Sequence, residues 1–216
     1  MSSFKNSDGS VIIQEMIRSI RENKQYLSDI DGAIGDGDHG INMNKGFTLA
    51  MKALEKDPGD FSHGLNTLGK ILIMKIGGAM GPLYGKIFKT MGDVFSGHSE
   101  IDAALFRTAL NEVRERMEVL SPARIGDKTL VDSLYPAINA YNMALDERKE
   151  FKDALQAMKT AANAGRDGTE QMVAKVGRSS RLGERSKGVI DAGAASCALL
   201  LEVMAESIIE LLNKEV

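Results

Sequence analysis

Tryptophan is absent from this chain of 216 residues, and cysteine occurs once, at Cys197. A single cysteine excludes an internal disulfide and fits a reducing cytoplasm. Aromatics are only 5% while methionine occurs 12 times, so an adaptable aliphatic core is expected. Basic residues are not in excess: 27 of them against 30 acidic ones leave a net charge of −3. That balance gives no electrostatic footprint for nucleic acid or for an acidic membrane surface. Long apolar runs are missing too. The opening MSSFKNSDGS does not read as a signal peptide. The most apolar tail, CALLLEVMAESIIELL, is broken by Glu202, Glu206 and Glu210, which argues against a membrane span. Alternating strand patterns, low-complexity tracts and long linkers are absent as well. The remainder is 43% hydrophobic and 26% charged, an ordinary globular composition, and the length permits one substantial domain or two small ones, with a single domain over residues 1–216 expected.

What is present is concentrated in Asp31 to Phe47, DGAIGDGDHGINMNKGF. Asp31, Asp36 and Asp38 fall within eight residues padded by Gly32, Gly35, Gly37 and Gly40. Carboxylates this close repel unless a cation lies between them. An all-oxygen donor set suits a hard cation, Mg²⁺ above all where phosphates share the site. Gly35, Gly37 and Gly40 also spell the dinucleotide fingerprint G-x-G-x-x-G. That pattern needs an apolar strand before it, and IRENKQYLSDIDGAI is helical and polar. A calcium loop counted from Asp36 fails because Ile41 takes the glycine position and Phe47 the closing glutamate. A solvated Asp/Gly turn is the ordinary use of such residues. Three carboxylates beside a histidine and two asparagines exceed what a turn needs, which favours a metal-bridged phosphate site.

Elsewhere the apolar residues recur at helical spacing. Eight stripes are legible: Ile13 to Ile20 behind a candidate cap at Ser10; Met43 to Leu54; Leu65 to Ile76; Leu83 to Met91 with Pro82 opening the helix; Leu105 to Leu120; Val131 to Leu145, bent at Pro136; Phe151 to Ala162; and a last helix from about Gly193. The expected fold is all-α, a bundle of about eight antiparallel amphipathic helices. Four glycine-rich connections fall at roughly every second junction: the acidic segment, GGAMGPLYG at 77–85, SPARIGDKT at 121–129, and GRSSRLGERSKGVIDAGAA at 177–195. In an up-and-down bundle they would meet at one end and form a ligand site. GGAMGPLYG offers free backbone N–H groups before a helix, a natural anion cradle, though read alone it fits a tight interhelical turn equally well. In GDKTL, Asp127 or Thr129 is expected to cap the next helix. Arg178, Arg181, Arg185 and Lys187 suit phosphate or merely solvation. Asp191 reads first as a helix cap and second as an acceptor for a ribose or base. His39 is a candidate ligand or phosphate donor, while His63 and His98 are expected at the surface.

Taken together, the segments D-x-x-I-G-D-G-D-H-G-x-N-M, G-G-A-x-G-P-L-Y-G, G-D-K-T, G-R-x-S-x-L-G-E-R-S and D-x-G-A-A-S resemble, in order, those of the ADP-binding L subunit of bacterial phosphoenolpyruvate-dependent dihydroxyacetone kinases. The same domain forms the C-terminal part of single-chain, ATP-dependent enzymes. The resemblance implies a barrel of eight antiparallel helices with ADP or ATP bound in the loops at one end. It implies two Mg²⁺ on Asp31, Asp36 and Asp38. It places His39, Gly40 and Asn42 on phosphates, and Ala79 and Met80 in the cradle. Ser121 and Leu130 are expected near the base or ribose, with Arg178, Asp191 and Gly193 completing the pocket. It further implies a K-type partner subunit that holds the ketose and an M-type phosphohistidine subunit that recharges ADP. A homodimer stays open.

Three positions depart from the family pattern: Met80 replaces a serine, Leu130 a methionine, and Ala192 a proline. They bear on fine phosphate contacts and on the substrate, which extends to other small ketoses such as a tetrulose. Two other functions remain open on the residues alone. One is a Mg²⁺-dependent phosphohydrolase with His39 as base; the other is a regulatory nucleotide-binding module without turnover.

Overall fold

In the computed structural model, which describes residues 2–214, the chain is a ring of α-helices. They are α1 (Ser10–Glu22), α2 (Lys24–Ile34), α3 (His39–Leu54), α4 (Phe61–Lys75), α5 (Met80–Phe95), α6 (Ala103–Leu120), α7 (Val131–Asp146), α8 (Phe151–Gly168) and α9 (Ala192–Lys214). Successive helices α3 to α9 pack on one another, and α9 returns to α1, which packs on α3. The ring therefore has eight places, with α2 following α1 and covering the seam between α3 and α9. α2 has no stripe in the sequence because it buries only Leu27 and Ile34.

The core is aliphatic, with an aromatic cluster that runs from Phe4 through Phe61, Phe95 and Phe106 to Phe151. A two-stranded ribbon, β1 (Ser3–Lys5) against β2 (Glu100–Asp102), escapes the sequence because three-residue strands show no period. No helix among the described residues is long and apolar enough to cross a membrane.

Several local expectations change. Ser10 is the first residue of α1, not its cap; a 3-10 turn over Asn6–Gly9 leads in instead. α5 starts at Met80, which moves Pro82 to the third helical position, where a missing N–H is still harmless. Pro136 lies inside α7 and cannot donate to the carbonyl of Asp132. Gly165 of α8 approaches that same carbonyl so closely that a Cβ there would sit 2.0 Å from it.

Candidate functional site

The four glycine-rich connections do converge. Residues from all of them line one cleft of about 470 Å³. α3, α5, α7 and α9 all begin at this cleft, so four helix N-termini, each with partial positive charge, point the same way. At α5 no side chain caps the first turn, and at α3 Asp31 takes the His39 N–H while the next amides are left open. By contrast α4 and α6, which begin at other loops, are capped by Asp60 on His63 N–H and by Asp102 on Leu105 N–H. Uncapped first-turn amides facing a cleft are donors left for an anion.

Three carboxylates face these amides. Asp31 lies on the last turn of α2, Asp36 in the turn, and Asp38 at the start of α3. One oxygen from each falls within 4.8 Å of the others. Two glycines allow this crowding. A Cβ on Gly35 would lie 2.6 Å from Asp31 Oδ1, and Gly37 turns the chain with φ of +74°. Asp31 also accepts from the His39 N–H at 3.2 Å, and Arg178 pairs with Asp36 across the cleft. An all-carboxylate set of this spread fits a hard divalent cation, and the guanidinium already marks the need for positive charge there.

All the expected site residues line the cleft except Gly40. Gly40 is buried against α2, where a Cβ would meet the Lys24 carbonyl at 2.1 Å. Ala79 and Met80 form the turn into α5, and Asn42 lies one turn into α3. Leu130, Leu83, Met117 and Val176 give the cleft an apolar lining in addition to its carboxylates, and Ser121 lines it as well. Arg181, Arg185 and Lys187 are exposed and lie outside the lining, as do His63 and His98.

His39 is turned inward. Its Nε2 lies 2.8 Å from Ser196 Oγ, which lies 2.6 Å from the Tyr84 hydroxyl, which in turn donates to the Gly193 carbonyl. Burial pushes the imidazole down to about 4 against the opposing pull of Asp31, so it is neutral at pH 7. A neutral imidazole of such low basicity, with one nitrogen engaged, is a poor base for activating water. Neither Tyr84 nor Ser196 was assigned a role from sequence, although both lie in the quoted segments.

The cap expected in GDKTL is displaced. Asp127 accepts from the Arg124 N–H within its own turn, and Thr129 Oγ1 accepts weakly from Val131 N–H at 3.3 Å. The turn is held instead by Asp132, buried in α7, whose carboxylate accepts from Gly126 and Thr129 N–H at 2.5 and 2.7 Å. Asp191 does cap α9, accepting from Ala194 N–H at 2.8 Å.

Burial pushes the Asp191 carboxyl up to about 7. The charges of Asp132 and Asp31 add to this, while the Ala194 N–H and Lys128 oppose it. A carboxyl raised in the folded state contributes stability that is complete below its unfolded pKa near 4. That contribution is lost as pH rises through 7. Asn keeps the acceptor and carries no charge. The metal-free Asp191→Asn variant should therefore gain stability over the parent between pH 5 and pH 8 in urea unfolding. A difference independent of pH would show that Asp191 is not strained by burial.

The sequence profile of the DAK2 domain matches residues 33–206. The chain belongs to the DAK2 family. It is 39% identical over 189 residues to the PEP-dependent dihydroxyacetone kinase 1 ADP-binding subunit DhaL of Listeria innocua, covering 87% of this chain and 89% of that one. It is also 39% identical to the PTS-dependent dihydroxyacetone kinase ADP-binding subunit DhaL of Lactococcus lactis, over 87% and 90% of the two chains. The crystal structure of the C. freundii dihydroxyacetone kinase in complex with AMP-PNP and Mg²⁺ shares the fold, with a TM-score of 0.66 at 22% identity. That match covers 94% of this chain and about a third (34%) of the longer enzyme.

Proposed function

We propose that this chain carries the nucleotide for a kinase of dihydroxyacetone or a related small ketose. One observation carries the reading: three carboxylates meet the open N-termini of α3 and α5 in a single cleft. That combination is suited to a metal–phosphate pair and to little else. Asp31, Asp36 and Asp38 would hold magnesium, as two ions, which supplies charge neutralisation to the phosphates. The amides at the starts of α3 and α5 orient phosphate oxygens, and Arg178 adds a planar fork. The apolar lining around Leu130 takes the base, with Ser121, Asp191 and Gly193 nearby. His39 and Asn42 complete the phosphate side, and Gly40 contributes through the close packing of α3 on α2. Phosphoryl transfer asks for alignment and charge neutralisation more than for covalent groups from the protein.

The named relatives are subunits, which supports partners for this chain as well: a K-type subunit presenting the ketose and an M-type phosphohistidine subunit recharging ADP in the cytoplasm. The purified chain alone should then leave dihydroxyacetone unphosphorylated with either ATP or phosphoenolpyruvate. Adding a cognate K-type subunit should restore transfer from ATP. Ketose phosphorylation by the isolated chain would overturn the division of labour.

Met80 is the first residue of α5 and its side chain packs partly on the core. A serine here offers a hydroxyl donor that methionine lacks. A hydrogen bond to a charged partner contributes about 1.5–3 kcal/mol. Met80→Ser is therefore expected to tighten Mg–ADP binding by roughly tenfold or somewhat more, read by calorimetry. Equal affinities would mean that this side chain faces no phosphate.

A further inference from the structure

Lys128 is the one lysine among the buried described residues, at 1% exposure, and apart from its pull on Asp191 its charge has no role so far. It has φ of +62°, a left-handed backbone that a non-glycine residue keeps only where its surroundings over-determine it. Its ammonium donates to four backbone carbonyls: Thr169 at 2.8 Å, Met172 at 3.2 Å, Ser186 at 2.7 Å and Val189 at 2.5 Å. An ammonium has three hydrogens, so the four acceptors share them. Two of these carbonyls lie where the segment after α8 begins, and two lie where it returns to α9. The ammonium thus closes the neck of a loop. Gly188 N–H on the Glu170 carbonyl (2.8 Å) and Ala174 N–H on Ser186 Oγ (2.9 Å) brace the same neck.

The loop so closed, residues 169–189, contains only 3-10 turns and carries Arg178 to Asp36 at the cleft. A long segment without an α-helix of its own is costly to order, and a tie across its neck shortens the part left free. A buried charge is tolerated only when it is well paired. An apolar side chain in its place would leave the four carbonyls without this donor. The burial, the strained backbone and the carbonyl set all point to a fixed task. We propose that Lys128 is a positioning residue: it latches the loop 169–189 to the start of α7 and thereby holds Arg178 at the phosphate side of the cleft.

The consequence for affinity rests on the nucleotide reading given above; the consequence for loop order does not. Two readings on Lys128→Met therefore test it. In hydrogen exchange without ligand, amides of 169–189 should exchange about tenfold faster or more, while α3 and α5 keep their protection. In calorimetry, Mg–ADP affinity should fall by roughly tenfold in the parent background. It should fall by less than about twofold in Arg178→Ala, because two residues acting through one contact are not additive. Unchanged loop exchange, or loss of protection spread evenly over the helices, overturns the latch. An affinity loss undiminished in Arg178→Ala overturns its action through Arg178. If the parent chain binds no Mg–ADP, the nucleotide reading fails and the exchange experiment alone decides the latch. Should Lys128→Met fail to fold, both readings pass to Lys128→Arg. Its planar fork cannot converge on four carbonyls, so the same directions are expected at smaller size, and unchanged loop exchange again overturns the proposal.

Discussion

Gly40→Ala is expected to cost about 3 kcal/mol of stability or more and to abolish nucleotide binding. The new Cβ would lie 2.1 Å from the Lys24 carbonyl, 2.6 Å from Ser28 Oγ and 2.8 Å from the Ser28 nitrogen. Two of these three atoms are backbone, so no side-chain rotation relieves the contact. α2 must move off α3. Asp31 rides on the end of α2 and Asp38 on the start of α3, so the same movement pulls the carboxylates apart. Gly32 supplies the control. It lies in α2, the helix that Gly40 of α3 packs against, but a Cβ there would meet nothing nearer than Gly37 Cα at 3.7 Å. Gly32→Ala should stabilise by about 0.5–1 kcal/mol, the usual gain from removing a helix-interior glycine. Urea unfolding of the two variants separates the cases. A Gly40→Ala protein as stable as the parent would rule out the close α2–α3 packing.

Much of this site is legible in the sequence because loops advertise their chemistry through composition. Asp31, Asp36 and Asp38 among glycines, and Gly77–Gly78 before a helix, cannot be core residues, and the alternation of helices then fixes which loops share an end. The eight stripes count the ring correctly because each buries a continuous apolar face. α2 escapes because it covers a seam and buries little, and that displaces Asp31 from loop to helix end. Asp132, Tyr84 and Ser196 escape for another reason. Each lies inside a helix, and its role is set by partners outside that helix's own pattern: Ser196 meets His39 157 positions away, and Asp132 reaches back to the Gly126 and Thr129 amides of the preceding turn. Lys128 is the hardest of all. Lysine is almost never fully buried unless paired, and its partners here are carbonyls, which leave no mark in a sequence. Asp127 and Thr129 are the plausible caps by type, but Asp132, one turn further on, reaches back and takes the amides.

A second large effect on binding is expected from the divalent cation. Two unit charges 4 Å apart repel by roughly 4 kcal/mol at the effective dielectric of a protein surface. Three carboxylates facing a diphosphate without a cation would therefore lower affinity by at least about a hundredfold. Asp36→Ala makes the point sharper, because its effect should change sign. With Mg²⁺ present it removes a ligand and weakens binding. In EDTA it removes a repelling charge and frees Arg178, which now pairs with Asp36, for a phosphate oxygen. A variant that merely loosens the fold would weaken binding in both conditions.

Titration of ADP into the chain by calorimetry, with Mg²⁺ and then with EDTA, tests most directly whether this cleft is a metal-bridged nucleotide site. Tight binding with Mg²⁺, binding at least about a hundredfold weaker in EDTA, and a partial recovery in EDTA by Asp36→Ala are the predicted results. Equal ADP affinity in the two conditions, or none in either, would contradict it.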